Sequence, residues 1–223
     1  SGNNVGGFIG ITIGNGISIV NNYSNSSVVG GSNVGGFIGA TSDGRPYVVT
    51  LKSSYCTGNV VGDDYVGGFI GLNRSVLPLS NSYSSGDVTR KSSSSGTNIG
   101  GFVGSNEVEG ITNSYCTGSV YSSPGTDWNV SGNADKGFAG ADSGSSSNNF
   151  FDSEASNQSS DTAGATTAKT TAEMHAISTF TKETTEGLDF AWDFIDNLND
   201  DSATNNYWGI NPNENKGYPF LEW

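Results

Sequence analysis

Basic side chains are scarce in this chain: nine Lys and Arg stand against 22 Asp and Glu, a formal net charge of −13 over 223 residues. Apart from the neighbours Arg90 and Lys91 they are scattered singly. Nucleic-acid binding needs clustered cations to neutralise phosphates, so no nucleic-acid partner is expected. Histidine occurs once, at His175, which leaves zinc short of the three or four ligands it takes and nucleophilic serine chemistry with a single candidate base. Long apolar runs are missing as well. Nothing approaches the ~18 residues of a membrane span, and no charged-then-apolar leader opens the chain. Charge is only 14% of the residues, and hydrophobic side chains 33%, a composition that by itself would suit disorder.

What is present argues for order. Val5-Gly6-Gly7-Phe8-Ile9-Gly10 returns as Val34–Gly39, Val66–Gly71 and Ile99–Gly104, with a worn copy at Lys136-Gly137-Phe138-Ala139-Gly140 that has lost one glycine. The Phe positions 8, 37, 69, 102 and 138 are separated by 29, 32, 33 and 36 residues, the near-constant period of stacked supersecondary units. A second signature lies between the first: Asn21-Asn22-Tyr23, Ser53-Ser54-Tyr55, Asn81-Ser82-Tyr83, Asn113-Ser114-Tyr115 and Asn149-Phe150-Phe151. Apolar residues alternate up to each aromatic, as in Ile17, Ile19, Asn21 and Tyr23, which is the period of a strand. A third segment carries Val28, Val60, Val88 and Val120.

One repeat therefore reads as three short strands. Strands of this length without matched hairpin turns are stable only if each pairs in parallel with its equivalent one turn on, roughly 4.8 Å away. The expectation is an all-β parallel coil stack of about five turns. In register, Phe8, Phe37, Phe69, Phe102 and Phe138 form one ladder, Tyr23, Tyr55, Tyr83, Tyr115 and Phe151 another, and Ile9, Ile38, Ile70 and Val103 a third. The paired glycines are expected to permit a corner at positive φ or close passage beside a stacked ring. The Asn before each Tyr is expected to stack as an amide ladder. Cys56 and Cys116 share one repeat position two coils apart, too far to bridge, and should be free thiols.

The spacers Thr41–Lys52, Arg74–Leu79, Lys91–Thr97 and Tyr121–Asp135 vary in length and are expected as surface loops. Residues 1–152 make the repeat unit, and 153–223 a segment expected to cap the last coil. In that segment Thr170-Thr171-Ala172-Glu173 is a capping-box start for one short helix through about Ser178. Acidity concentrates there: residues 150–223 hold 13 Asp and Glu against Lys169, Lys182 and Lys216. Its aromatics, Phe180, Phe190, Trp192, Phe194, Tyr207, Trp208, Tyr218, Phe220 and Trp223, are either a hydrophobic plug or a carbohydrate platform, and the open end of a solenoid favours the plug.

These motifs resemble the GLUG-motif repeat family of bacterial surface proteins, whose defining cluster is Gly-Gly-Leu/Phe-aliphatic-Gly. Thr171-Ala172-Glu173-Met174, Trp192-Asp193-Phe194, Trp208-Gly209-Ile210 and Gly217-Tyr218-Pro219-Phe220-Leu221 resemble the segment that closes such arrays. The resemblance implies a right-handed parallel β-helix in a secreted or cell-surface adhesin, or in the non-catalytic region of a larger enzyme such as an IgA-cleaving metallopeptidase. Because the chain opens inside a repeat, upstream repeats of the same polypeptide are expected, with Ser1-Gly2 in part a cloning remnant.

Candidate chemistry is thin. His175 beside Glu173 could begin a zinc site but finds no second His. Asp63, Asp64 and Asp87 are candidate carboxylates for a polysaccharide-acting enzyme, and Asp63-Asp64, or Asp196 with Asp200 and Asp201, for calcium; neither run matches a known calcium loop. Asn25, Thr57, Ser85 and Thr117 make one small polar column, half of what a flat ice-binding face would need. The expectation is a non-enzymatic structural and interaction module with no catalytic residues, cofactor or metal, binding a host or matrix glycan or protein. A polysaccharide lyase or hydrolase, or a carbohydrate-binding module, is the alternative.

Overall fold

The computed structural model describes residues 2–14, 16–41, 49–74, 79–91, 96–108, 110–122, 135–161, 166–195 and 207–223. It is a β-solenoid of parallel sheets. Each coil contributes five short strands rather than three, illustrated by coil 1: Val5–Gly6, Ile9–Thr12, Ile17–Val20, Tyr23–Ser24 and Val28–Val29. Two devices subdivide the chain. The Gly-Gly-Phe arch separates the Val5 and Ile9 strands, and a left-handed residue separates the Ile17 and Tyr23 strands. That residue is Asn21, Ser53, Asn81, Asn113 or Asn148, with φ between 49° and 60°. Asn tolerates this conformation because its short polar side chain bonds locally.

Register follows the sequence motifs. Val5 pairs with Val34, Ile9 with Ile38, Ile17 with Val49, Tyr23 with Tyr55 and Val28 with Val60, and so on down the stack. The Phe ladder is continuous, with ring centroids 4.8, 4.9, 4.9 and 4.7 Å apart from Phe8 to Phe138. Each fully buried ring contributes ~1.5–3 kcal/mol by area. Residues Ile38–Thr41, Ile70–Asn73 and Val103–Asn106 are buried along their whole length. The arch closes the Val5 sheet so tightly on them that a Cβ on Gly35 would lie 2.0 Å from the Ile38 carbonyl oxygen and 2.8 Å from the Gly71 nitrogen. The repeat glycines thus serve backbone-to-backbone approach, and none of them adopts the positive φ expected for a corner. Passage beside a ring applies only to Gly137, where a Cβ would lie 2.3 Å from the Phe151 ring.

Four coils are complete and the fifth is partial, against the five expected. In the fifth, Asp135–Lys136, Ala139–Asp142 and Asn149–Asp152 continue three sheets, while the Ile17 sheet is reduced to a bridge from Thr112 to Ser147. Small residues fill that strand, so there is no apolar side to bury. Thr166–Lys169 then adds a sixth strand to the Tyr23 sheet. The aromatic register shifts by one here: Phe150 pairs with Tyr115, and Phe151 pairs with Cys116. Phe151 therefore sits in the Phe and Ile core rather than in the Tyr ladder.

Thr41, Val49–Lys52, Leu79, Tyr121 and Asp135 at the spacer ends belong to strands, and the centres of the spacers lie outside the described residues. The capping box at Thr170 forms as the spacing requires, but the helix is short: α1 is Thr171–Met174, closed at His175, and a second helix, α2, covers Ile177–Thr181. Extended backbone at Ala176 breaks the two apart. No described helix is long and apolar enough to cross a membrane.

Candidate functional site

Polar side chains in the coils are arranged in columns, and the columns consume the acidic residues. At the end of each Ile9-type strand, Thr41 Oγ1 donates to Asn73 Oδ1 (2.9 Å), Asn73 Nδ2 to Asn106 Oδ1 (2.7 Å) and Asn106 Nδ2 to Asp142 Oδ1 (2.9 Å). This buried ladder is an amide column outside the aromatic motif, and within the motif the Asn preceding the aromatics make one such step, Asn148 Nδ2 donating to Asn113 Oδ1. All the buried ladder's donors point toward the C-terminal end, where a carboxylate receives the last one. A serine column lies at the next corner: the Ser54, Ser82 and Ser114 hydroxyls accept from the Asn22, Ser54 and Ser82 amides, and Asn149 Oδ1 accepts from the Ser114 amide.

The carboxylates singled out from sequence are held in the same way. Asp64 Oδ1 accepts from the amides of Tyr65, Thr97 and Asn98. Asp87 Oδ1 accepts from the Ser119 amide at 3.0 Å, and Asp63 Oδ2 lies 3.3 Å from Lys91 Nζ. Asp63 precedes and Asp64 opens the Val5-type strand of coil 3, Asp64–Gly67, while Asp87 precedes the Val28-type strand Val88–Arg90, so they belong to different parts of the coil. Asp196, Asp200 and Asp201 lie outside the described residues. Among the described residues no group of three or more His, Cys, Asp or Glu gathers as metal ligands. Three structural carboxylates were missed from sequence: Asp142, which ends the amide ladder, Asp161 and Asp152. Asp161 Oδ1 accepts from the Phe138 and Ala139 amides (3.3 and 2.7 Å), replacing the carbonyl that each Phe offers to the coil before it. Asp152 is fully buried, with its Oδ1 turned onto the Glu154 and Ala155 amides. The signal for Asp142 was available, since Phe-x-Gly-x-Asn in coils 3 and 4 becomes Phe138-Ala139-Gly140-Ala141-Asp142.

His175 does not pair with Glu173. Its ring stands edge-on to Tyr218 at 4.4 Å, beside a hollow of about 320 Å³ lined by Ile177, Ile210, Pro212 and Lys216. Glu173 is occupied by the helix start, accepting from the Thr170 amide and hydroxyl at 2.8 Å, and those bonds hold its carboxyl below the usual range. Cys56 and Cys116 are buried free thiols bonded to the Gly68 and Gly137 carbonyls, and burial pushes both up. Asn25, Thr57, Ser85 and Thr117 do align, yet exposure falls along them until Thr117 is buried.

The tail aromatics lie along the outer flank of the Tyr ladder. Trp192 and Trp208 pack on Tyr115, Trp208 also on Tyr83, and Trp223 on Tyr55 and Tyr23 at 5.9 and 6.3 Å. Tyr115 donates to the Pro219 carbonyl and accepts from Asn215 Nδ2; Tyr218 donates to Asp152 Oδ2 at 2.7 Å. Burial raises the phenols of Tyr83, Tyr115 and Tyr218. Trp192, Trp208, Phe180 and Phe194 are buried beside the Tyr ladder, whereas Trp223 and Tyr23 remain about half exposed. Comparison with protein-family models, curated proteins and solved structures finds no match to this chain.

Proposed function

We propose that this chain is a non-enzymatic structural and interaction module of a secreted or cell-surface adhesin-like bacterial protein of the GLUG-repeat kind. The observation that carries this reading is the employment of the carboxylates. Asp64, Asp87, Asp142, Asp152 and Asp161 each accept hydrogen bonds that hold a coil or its end, so they stiffen a rod instead of converging on a groove. General acid–base work on a glycosidic bond needs two carboxyls facing one cleft. A half-exposed aromatic pair, Tyr23 with Trp223, offers the flat apolar surface that sugar rings and extended polypeptides stack upon.

The test is an array of glycans and matrix proteins probed with the purified chain, run beside an assay for new reducing or unsaturated ends on acidic and neutral polysaccharides. Saturable binding without product, weakened by Trp223→Ala, is the expected result. Product release would replace this proposal with the polysaccharide-acting enzyme.

A further inference from the structure

We infer that the hollow beside the two short helices is a binding site for a sugar unit carrying one carboxylate, a hexuronate, with the Lys169 ammonium as its buried anchor and Lys182 as the second cation. The hollow holds about 550 Å³, within the roughly 300–1,000 Å³ of small-molecule sites. Helix punctuation sets its cations: Lys169 ends the strand Thr166–Lys169 and immediately precedes Thr170, the N-cap of α1, and Lys182 closes α2. Lys169 is only 7% exposed. A buried ammonium is costly unless it is paired or hydrogen-bonded, and the carboxylates nearest to it in the fold are already in use. Asp152 is the register partner of Lys169, but its Oδ1 accepts from the Glu154 and Ala155 amides and its Oδ2 from the Tyr218 hydroxyl. Glu173 Oε2 is held by the Thr170 amide and hydroxyl. Among the described residues the Lys169 ammonium has no hydrogen bond or ion pair, and its ring partner is Phe150, 5.7 Å away at the centroid.

The rest of the lining selects the ligand class. Residues 150–223 hold three Lys against 13 Asp and Glu, and two of the three Lys line this one hollow. The net charge of −13 repels anions from most of the surface, so a pair of cations at one hollow singles out a place for a carboxylate. Glu173 and Glu186 share the lining and form no ion pair with either Lys among the described residues. Their charge turns away a polyanion, whose further carboxylates would meet them, and leaves room for a ligand with one. Ser178, Thr184 and Glu186 are exposed around the hollow, and no described residue bonds to their side chains. Two hydroxyls and a carboxylate of this kind are the donors and acceptors that neighbouring sugar hydroxyls need. A carboxylate set among hydroxyls therefore meets both halves of the lining. The hollow is separate from the Tyr23 and Trp223 pair, so this site goes beyond the reading of the chain as an interaction module and stands or falls apart from it.

Titration of the isotope-labelled full chain with glucuronate, followed by amide chemical shifts, tests this, with glucose, acetate and glycine as separate arms. Saturable shifts confined to residues 169–186, with a dissociation constant on the order of 1 mM, are the expected result. Glucose lacks the carboxylate, acetate the hydroxyls, and glycine carries an ammonium in their place, so none of the three should saturate over the same range. Lys169→Met keeps an unbranched apolar stem and removes the charge. It should weaken glucuronate binding roughly 10-fold or more, while its urea midpoint stays at or above that of the parent because an unpaired buried charge has gone. Lys182→Met should weaken binding as well. Lys216→Met and Trp223→Ala, both outside the hollow, should bind glucuronate as the parent does, which separates this site from the aromatic pair. Shifts that never saturate, an equal response to glucose, acetate or glycine, or unchanged binding by Lys169→Met overturns the proposal. So does a lowered midpoint in Lys169→Met, which makes the ammonium a structural group with a partner of its own.

Discussion

At the scale of single residues, the solenoid turns on atoms that side chains do not have. Gly35 has ordinary φ, so its constraint is space: an added Cβ meets the Ile38 carbonyl oxygen at 2.0 Å and a backbone nitrogen of the next coil, neither of which is a flexible chain end. Gly35→Ala is expected to cost about 1–3 kcal/mol or more through overpacking, read as a lower urea midpoint with the far-ultraviolet spectrum retained. Gly16→Ala is the contrast, because φ of 74° strains it while no atom lies within 4 Å; a smaller loss there and a larger one at Gly35 is the expected order. Sequence spelled out the Gly-Gly-Phe positions but not this reason for them, since glycine is demanded alike by positive φ and by close backbone. The Phe151 register was illegible for a similar reason. Asn148-Asn149-Phe150-Phe151 holds two Asn and two Phe, so either alignment satisfies the pattern. Left-handed φ at Asn148 and the room beside Gly137 decide for Phe150 in the Tyr column.

At the scale of elements, strand existence was readable from period two and coil pairing from the 29–36 residue recurrence, while the count of strands per coil was not. Corners made by Asn leave no hydrophobic gap, so Ile17 through Tyr23 reads as one run although the backbone turns at Asn21. The buried Thr41–Asn73–Asn106–Asp142 ladder escaped because a lone Asn after an apolar strand looks like a loop residue until it is stacked. Termination of the coils also rests on side chains, and Asp161 is the sharpest case. Its Oδ1 stands where the next coil would place a Phe carbonyl, and its other oxygen accepts from Thr166. Asp161→Ala leaves two buried amides without partners at about 1–3 kcal/mol apiece, whereas Asp161→Asn keeps a carbonyl acceptor. The expected order of urea midpoints is parent, then Asn, then Ala. Equal midpoints for Asn and Ala would show that the acceptor at this edge is immaterial.

At the scale of the whole molecule, the aromatic tail and the repeat stack are joined along the Tyr ladder, and that seam sets how the protein responds to alkali. Intervals between the tail aromatics made draping over an existing surface legible; the flank chosen was not, because an alternating strand pattern says which residues share a face and not which face another segment covers. The seam runs through Tyr83, Tyr115, Tyr218, Trp192 and Trp208. Burial is the first cause of the raised phenols at Tyr83 and Tyr115, followed by the neighbouring tyrosine in each case. In the unfolded chain these groups ionise near pH 10, and in the folded protein well above it. Above pH 10 the unfolded state therefore releases protons that the native state retains, and stability falls as pH rises. Below pH 10 both states hold the proton and the contribution is fully present. Well above pH 10 the slope approaches about 1.4 kcal/mol per pH unit for each such tyrosine. Unfolding free energy measured in urea should thus be nearly flat from pH 8 to 9.5 and drop by roughly 2 kcal/mol between pH 10 and 11 from Tyr83 and Tyr115 together, because at pH 10 the unfolded phenols are only half ionised. Tyr115→Phe removes one ionisable group along with its bonds to Pro219 and Asn215, so it should begin less stable and lose less over the same interval. Stability unchanged to pH 11 in the parent chain would place these phenols in solvent and detach the tail from the Tyr ladder.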